Sequence, residues 1–394
     1  MNKTPRSDDS NELEEARQEI DRVDRDLVRL LKERMDAVEQ VAASKEKSPN
    51  AGLVDPGREA KVADAWGREA EKHGLSPYFT HRVLREILNH SRRSQETLLE
   101  PPPERPGACR VGFQGTRASY SELAIGKLFE VRKQKVVERT GFSGFPEVFD
   151  ALESGKVDYA LLPVENSLIG SVSEVNQLVV TRNVAVVDEE LWDVEHCLAG
   201  LPGATAENLT EILSHPIALL QCQGLVSRLE GASARGFSDT AEAAVFVRAN
   251  GDPETGAICS AEAASLADLE ILIQDVGDYR GNQTRFLLLA RQSEPASRRH
   301  PAKTTLVFAA QDRCGALGDC LGALSEHGVN LTRLESRPQP EAPWEYTFLA
   351  DLEGHQDEDH VAAALATLRR VSNHLRILGT YPSRTPLEKK DSTG

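Results

Sequence analysis

The apolar positions of the first hundred residues recur at helical spacing. Leu13, Ala16, Ile20, Val23, Leu27 and Leu30 alternate steps of three and four, the heptad stripe of a helix that buries one seam. Continuing the spacing gives Arg34, Ala37 and Val41, with Lys45 one turn beyond. Two cations thus stand on a stripe that should be buried. At 1.5 Å of rise per residue, a helix over 11–47 is about 55 Å long, too long for a compact domain of ~90 residues. The pattern therefore predicts pairing with a second copy of the chain. Asp55-Pro56 reads as an N-cap followed by proline at the first helical position, and it opens a second helix with Arg58 and Glu59 in its first turn. Ser76-Pro77 opens a third. Its stripe of Leu84, Leu88, Ser91, Gln95 and Leu98 is interrupted by two polar residues.

Beyond Gly107 the period changes. Pro-rich residues 100–107 and a polar stretch over 292–301 divide the chain into three segments of domain size. From Cys109 to Arg291 strand-like and helix-like runs alternate, which predicts an α/β class. Strands are expected at 111–113, 159–162 and 211–214, with helices at 122–129, 147–153 and 172–180. The run Phe286-Leu287-Leu288-Leu289-Ala290 reads as a buried strand, with a polar start at Asn282, Gln283, Thr284 and Arg285. The last segment predicts strands at 304–308, 330–335, 346–352 and 375–379, and helices at 316–326 and 360–371. That is βαββαβ, a ferredoxin-like order.

Composition narrows the classes. A formal net charge of −16 with no large basic block argues against nucleic acid as a partner. No apolar run is long enough to span a bilayer, and the first ten residues hold no apolar core of a signal peptide. The six cysteines have neither metal-ligand spacing nor a disulfide framework, and they read as reduced thiols of a cytoplasmic protein.

A buried cation without a partner costs several kcal/mol. Arg34 and Lys45 on one seam, with Ser91 and Gln95 on another, offer cations and neutral donors but few anions. Either buried salt bridges fix register there, or a small dianion satisfies them together. In the middle segment polar residues gather at strand ends and helix starts, where N–H groups favour anions. These are Ser119-Tyr120-Ser121, Glu165-Asn166-Ser167, His215-Pro216 with Gln221-Cys222, and Thr284-Arg285-Phe286. On its own, Thr284 also fits simple strand propensity.

Residues 11–99 resemble the all-helical chorismate mutase domain, on Arg17, Arg34, Lys45, Asp55, Arg58, Glu59, Ser91 and Gln95. The resemblance implies a pericyclic rearrangement of chorismate to prephenate. Arg17, Arg34 and Arg58 would bind carboxylates, with Arg17 crossing from the partner subunit. Lys45 and Gln95 would donate to the ether oxygen, and Glu59, Asp55 and Ser91 would hold the hydroxyl end. Residues 108–292 resemble prephenate dehydratase, a two-lobed α/β fold with its site between the lobes. The implied chemistry expels a hydroxyl and a carboxylate together, with Thr284 as proton donor. Asn166, Ser167, Gln221 and Arg285 would position substrate, and Glu165 would shape the network. Ala118 departs from the glycine usual in the family's first loop, and the resemblance implies no metal and no organic cofactor.

Residues 302–384 resemble an ACT domain of the phenylalanine-sensing type, on Gly315-Ala316-Leu317 and Glu335-Ser336-Arg337-Pro338, with Cys314 where proline is common. Asn330 and Leu331 would face the ligand across a subunit contact. The resemblance thus implies a bifunctional chorismate mutase/prephenate dehydratase, a homodimer or higher, with L-phenylalanine as allosteric inhibitor. Two other readings stay open: an arogenate dehydratase, or an amino-acid-binding regulatory protein with inactive catalytic domains.

Overall fold

The computed structural model describes residues 7–46, 56–99, 107–229, 231–298, 301–339 and 342–384. Two compact units divide at about Pro102. The first is helical: α1 (Ser7–Glu46), α2 (Pro56–Lys72) and α3 (Pro77–Leu99). Both prolines sit at the first helical position, where the missing N–H has no intrahelical partner to lose. Leu84 and Ala42 are buried, yet Ile20, Val23, Leu27 and Leu30 of the heptad stripe are each more than 40 % exposed in the single chain. Asp55, expected to cap α2, lies outside the described residues.

The second unit begins with an open sheet. Its elements are β1 (Ala108–Gln114), α4 (Tyr120–Arg132), β2 (Lys135–Phe142), α5 (Phe145–Glu153), β3 (Tyr159–Asn166), β4 (Gly170–Ser171), α6 (Ser173–Thr181) and β5 (Ala185–Asp193). The chain then leaves to build a second sheet from β6 (Cys197–Gly200), β7 (Glu211–Ser214), α7 (Pro216–Gln221), α8 (Gln223–Arg228), β8 (Ser233–Gly236), α9 (Thr240–Asn250), β9 (Thr255–Cys259), α10 (Ala261–Leu266) and β10 (Glu270–Ile273). It returns as β11 (Gln283–Ala290), which inserts between β3 and β5, antiparallel to both. The strand orders are β2-β1-β3-β11-β5 and β10-β6-β9-β7-β8. Two crossings therefore join two lobes, and they lie side by side: Val194 N donates to Asn282 O at 2.8 Å.

The remaining elements, β12 (Ala302–Ala310), α11 (Ala316–Ser325), β13 (Leu331–Gln339), β14 (Ala342–Glu353), α12 (Asp359–Val371) and β15 (Ser372–Pro382), form an antiparallel sheet of order β13-β14-β12-β15. This is the βαββαβ arrangement read from the sequence. One apolar cluster runs from the first sheet into this one, joining Leu287 and Leu289 to Val307, Leu349, Leu378 and Tyr381. The two domains thus share a core.

Ala118 adopts φ +64°, the left-handed region that costs a residue with a Cβ about 1–2 kcal/mol. Two features offset that cost. Glu122 accepts from Ala118 N at 2.7 Å, and the methyl is buried in the apolar cluster of the second lobe.

Candidate active site

In the helical unit, α1 and α3 bring the seam residues together in pairs. Arg34 Nη1 donates to Ser91 Oγ at 2.5 Å, and Lys45 Nζ donates to Gln95 Oε1 at 3.3 Å. Among the described residues Arg34 has no carboxylate partner, and burial pushes its pKa down. Glu59 is held by Arg92, whose Nε donates at 2.8 Å, and Arg92 is absent from the sequence expectation. Its position one residue after Ser91 was the available signal. Arg17 and Arg58 lie at exposed positions of α1 and α2.

In the two-lobed domain, the start of β11 meets the end of β3. A bulge decides which residues face each other: Phe286 pairs with Pro163, but Arg285 pairs with Glu165 and Thr284 with Asn166. Without the extra residue Glu165 would stand opposite Thr284. The Asn166 amide is oriented by its own loop, because Oδ1 accepts from Leu168 N at 3.0 Å and Ile169 N at 3.2 Å. Its Nδ2 therefore points to the start of β11. There it faces Thr284 Oγ1 at 3.0 Å, Asn282 Oδ1 at 2.7 Å and Gln283 O at 3.1 Å. Thr284 Oγ1 thus accepts a hydrogen bond, and among the described residues no acceptor takes its own proton. A donor aimed at the oxygen also stabilises the charge left behind when that proton departs. Ser167 Oγ donates to Gly281 O at 3.2 Å and accepts from Gln283 N at 2.9 Å, so it ties the loop to β11.

Arg285 departs from the expectation. Adjacent residues of a strand face opposite sides. Phe286 and Leu288 pack toward α4, whereas Leu287 and Leu289 pack toward the C-terminal sheet. Arg285 shares the second face, away from the Thr284 hydroxyl. Its guanidinium donates to Glu189 Oε2 at 2.7 Å, Asp351 Oδ2 at 2.5 Å and Tyr381 Oη at 3.0 Å. Lys303 Nζ lies 3.0 Å from Glu189 Oε1. The Glu189 and Asp351 side chains are 0 % exposed. Burial alone would raise both carboxyl pKa values, but the neighbouring cations hold them below the ordinary range. Glu165 lies on this face too, 3.9 Å from Arg285 Nη1. The sequence reading missed this network. The run Asp188-Glu189-Glu190 inside the apolar strand β5 was the signal, because three consecutive carboxylates cannot all face solvent there.

Gln221 ends α7 in the second lobe, buried, with Oε1 3.0 Å from His196 Nε2. The lobes meet where Thr116 N donates to Asp239 Oδ2 at 2.9 Å, while the other oxygen of Asp239 caps α9. In the C-terminal domain Gly315, at φ +81°, opens α11, followed by buried Ala316 and partly buried Leu317. Asn330 and Leu331 lead into β13, and Ser336 lies exposed on it. Glu335 faces inward. It pairs with Arg333 at 2.8 Å and accepts from Ser171 Oγ of the dehydratase-like domain at 2.7 Å.

These features define a multidomain enzyme: a helical unit with cations on its seams, a two-lobed α/β domain, and a ferredoxin-like domain that shares its core with the second. Residues 16–96 match the Chorismate mutase type II family, 111–294 the Prephenate dehydratase family and 304–370 the ACT domain family. A bifunctional chorismate mutase/prephenate dehydratase of Enterobacter agglomerans is 30% identical over 375 residues, covering 95% of this chain and 96% of that protein. Arogenate dehydratase 5 of Arabidopsis thaliana, a chloroplastic protein, is 37% identical over 303 residues, 73% of this chain and 70% of its own length. A crystal structure of prephenate dehydratase from Arthrobacter aurescens in complex with L-Phe is 30% identical, with a TM-score of 0.64 over 70% of this chain and 90% of that one. The chain belongs to the bifunctional chorismate mutase/prephenate dehydratase family, with both enzyme domains and an ACT domain in that order.

Proposed function

We propose that the chain rearranges chorismate to prephenate in its helical unit and converts prephenate to phenylpyruvate, carbon dioxide and water between its two lobes. The observation that carries the dehydratase half is the Thr284 hydroxyl, which accepts from Asn166 and keeps its own proton for the leaving hydroxyl. A threonine hydroxyl is a weak acid, so the proton moves as the C–O bond breaks, and aromatisation drives the step. Gln221 orients a substrate carboxylate. Arg285 and Glu165 act from the opposite face, as parts of the joint with the ACT domain. In the helical unit no nucleophile is needed. Arg34, Arg58 and the partner's contribution through Arg17 hold the carboxylates, Lys45 and Gln95 stabilise charge growing on the ether oxygen, and Glu59, Ser91 and Asp55 hold the hydroxyl end.

The exposed stripe of Ile20, Val23, Leu27 and Leu30 supports a homodimer joined along α1. L-Phenylalanine is the expected inhibitor, bound at Gly315–Leu317 and Asn330–Leu331 between ACT domains, with Ser336 at the rim. Glu335 then reports on that site through Ser171. Six unpaired thiols support a reducing compartment, the cytoplasm. No described helix is long and apolar enough to cross a membrane.

The test supplies chorismate to the intact protein and follows prephenate and phenylpyruvate. Phenylpyruvate should form from chorismate and from added prephenate. Turnover of arogenate in preference to prephenate would reassign the second reaction.

A further inference from the structure

We propose that His196 is a positioning residue for the dehydratase reaction, holding the Gln221 amide in one orientation through a relay that begins at the Tyr120 hydroxyl. The proposal rests on the assignment of Gln221 to substrate binding. The relay crosses the molecule. Tyr120 opens α4 in the first lobe, His196 lies on the crossing segment just before β6, and Gln221 ends α7 in the second lobe. His196 Nδ1 is 2.9 Å from the Tyr120 hydroxyl, and Nε2 is 3.0 Å from Gln221 Oε1. The Tyr120 hydroxyl also lies 2.7 Å from the Glu195 carbonyl.

Protons can be assigned along this relay. Burial lowers the His196 pKa against the opposing contact with Gln221, so the ring is neutral and carries one N–H. Burial pushes the Tyr120 phenol well up, so it keeps its proton. With Gln221 Oε1 facing Nε2, the imidazole proton belongs on Nε2. Nδ1 is then an acceptor, and it shares the single Tyr120 proton with the Glu195 carbonyl. Both N–H groups of Gln221 are left for a ligand, and the amide nitrogen has no hydrogen-bond partner among the described residues.

This orientation matters for an acidic substrate. A carboxylate only accepts, so it binds an amide that presents NH2 and is repelled by one that presents C=O. Without a donor behind Oε1, the amide is free to turn over and present the repelling end. Nothing in the sequence pattern singled out His196, because a lone buried histidine carries no spacing signal.

The experiment compares His196→Gln, His196→Asn and His196→Leu, each alone and combined with Gln221→Ala. Dehydratase kcat and KM are read with prephenate. Mutase turnover and urea midpoints of the same preparations report folding. Glutamine places its amide nitrogen near the Nε2 position, whereas asparagine reaches only that of Nδ1. The Asn and Leu variants should lose about tenfold in kcat/KM, the value of one hydrogen bond that orients a polar group, with much of the loss in KM. The Gln variant should recover most of it. In the Gln221→Ala background the three should be alike, because the group they orient is gone.

Equal activity of the three single variants, or a full further loss in the Gln221→Ala background, overturns the positioning role. Full activity of Gln221→Ala alone overturns the reading of Gln221 first, and this proposal with it. Tyr120→Phe gives the same reading if the Leu variant does not fold. It should lower kcat/KM with Gln221 present and leave it unchanged with Gln221→Ala. A loss of equal size in both backgrounds also overturns the relay.

Discussion

Arg285→Met separates the two roles open to the residue after Thr284. Methionine keeps most of the volume and removes the charge. The buried guanidinium now bonds Glu189, Asp351 and Tyr381, and both carboxylates are 0 % exposed. After substitution Glu189 keeps Lys303, and Asp351 keeps Thr305 at 2.6 Å with Arg333 at 3.8 Å. Removing one member of a buried pair costs about 3–5 kcal/mol. The remaining partners bring this toward the lower end, a large fraction of the roughly 5–15 kcal/mol that holds a domain together. With a urea slope of about 1–3 kcal/mol per molar, the midpoint of the second unit should fall by about 1 M or more. The helical unit should not change. Where the variant is folded, KM for prephenate should stay within about twofold, because the side chain faces away from Thr284.

Acid supplies an independent check. The Asp351 and Glu189 pKa values are held below those of the unfolded chain, so their contribution is present above the unfolded pKa of about 4 and is lost as pH falls through the folded values. The stability gap between the parent and Arg285→Met should therefore narrow as pH drops below about 4. An unchanged urea midpoint with KM raised tenfold would refute this reasoning and return Arg285 to the substrate.

Thr284→Ala should lose dehydratase activity and accumulate prephenate from chorismate, while Thr284→Ser keeps part of it; equal behaviour of the two would move the proton donor elsewhere. Lys45→Ala should abolish mutase turnover and leave dehydration of added prephenate intact, and near-normal chorismate turnover would remove Lys45 from the ether oxygen. Calorimetry should detect L-phenylalanine binding to the intact protein, and Gly315→Val should abolish both that heat and inhibition of the dehydratase; inhibition without loss in the variant would put the ligand elsewhere. Deleting residues 302–394 should cost the dehydratase its fold rather than only its regulation, because it strips Asp351, Lys303 and Tyr381 from Arg285 and Glu189; a folded, active truncated chain would contradict the shared core.

The sequence by itself determined the three domains, their order and most of their helices. Periodicity and proline at helix starts are local signals, and the residues that form those elements carry them. It also put Arg34, Lys45, Ser91 and Gln95 at helical spacing on two seams, but that Arg34 meets Ser91 and Lys45 meets Gln95 was decided by how α1 and α3 pack. Which face each neighbour takes in the dehydratase domain was a matter of register. Strand alternation alone was enough to separate Thr284 from Arg285. That Asn166 rather than Glu165 meets Thr284 depends on one extra residue in β3, and no local pattern announces a bulge. The partners of Arg285 come from β5, β14 and β15, as far as 96 residues away in sequence. His196 joins Tyr120 to Gln221 only because two lobes close around one crossing segment. Long-range pairing of single polar residues has no period, so only tertiary structure decides it.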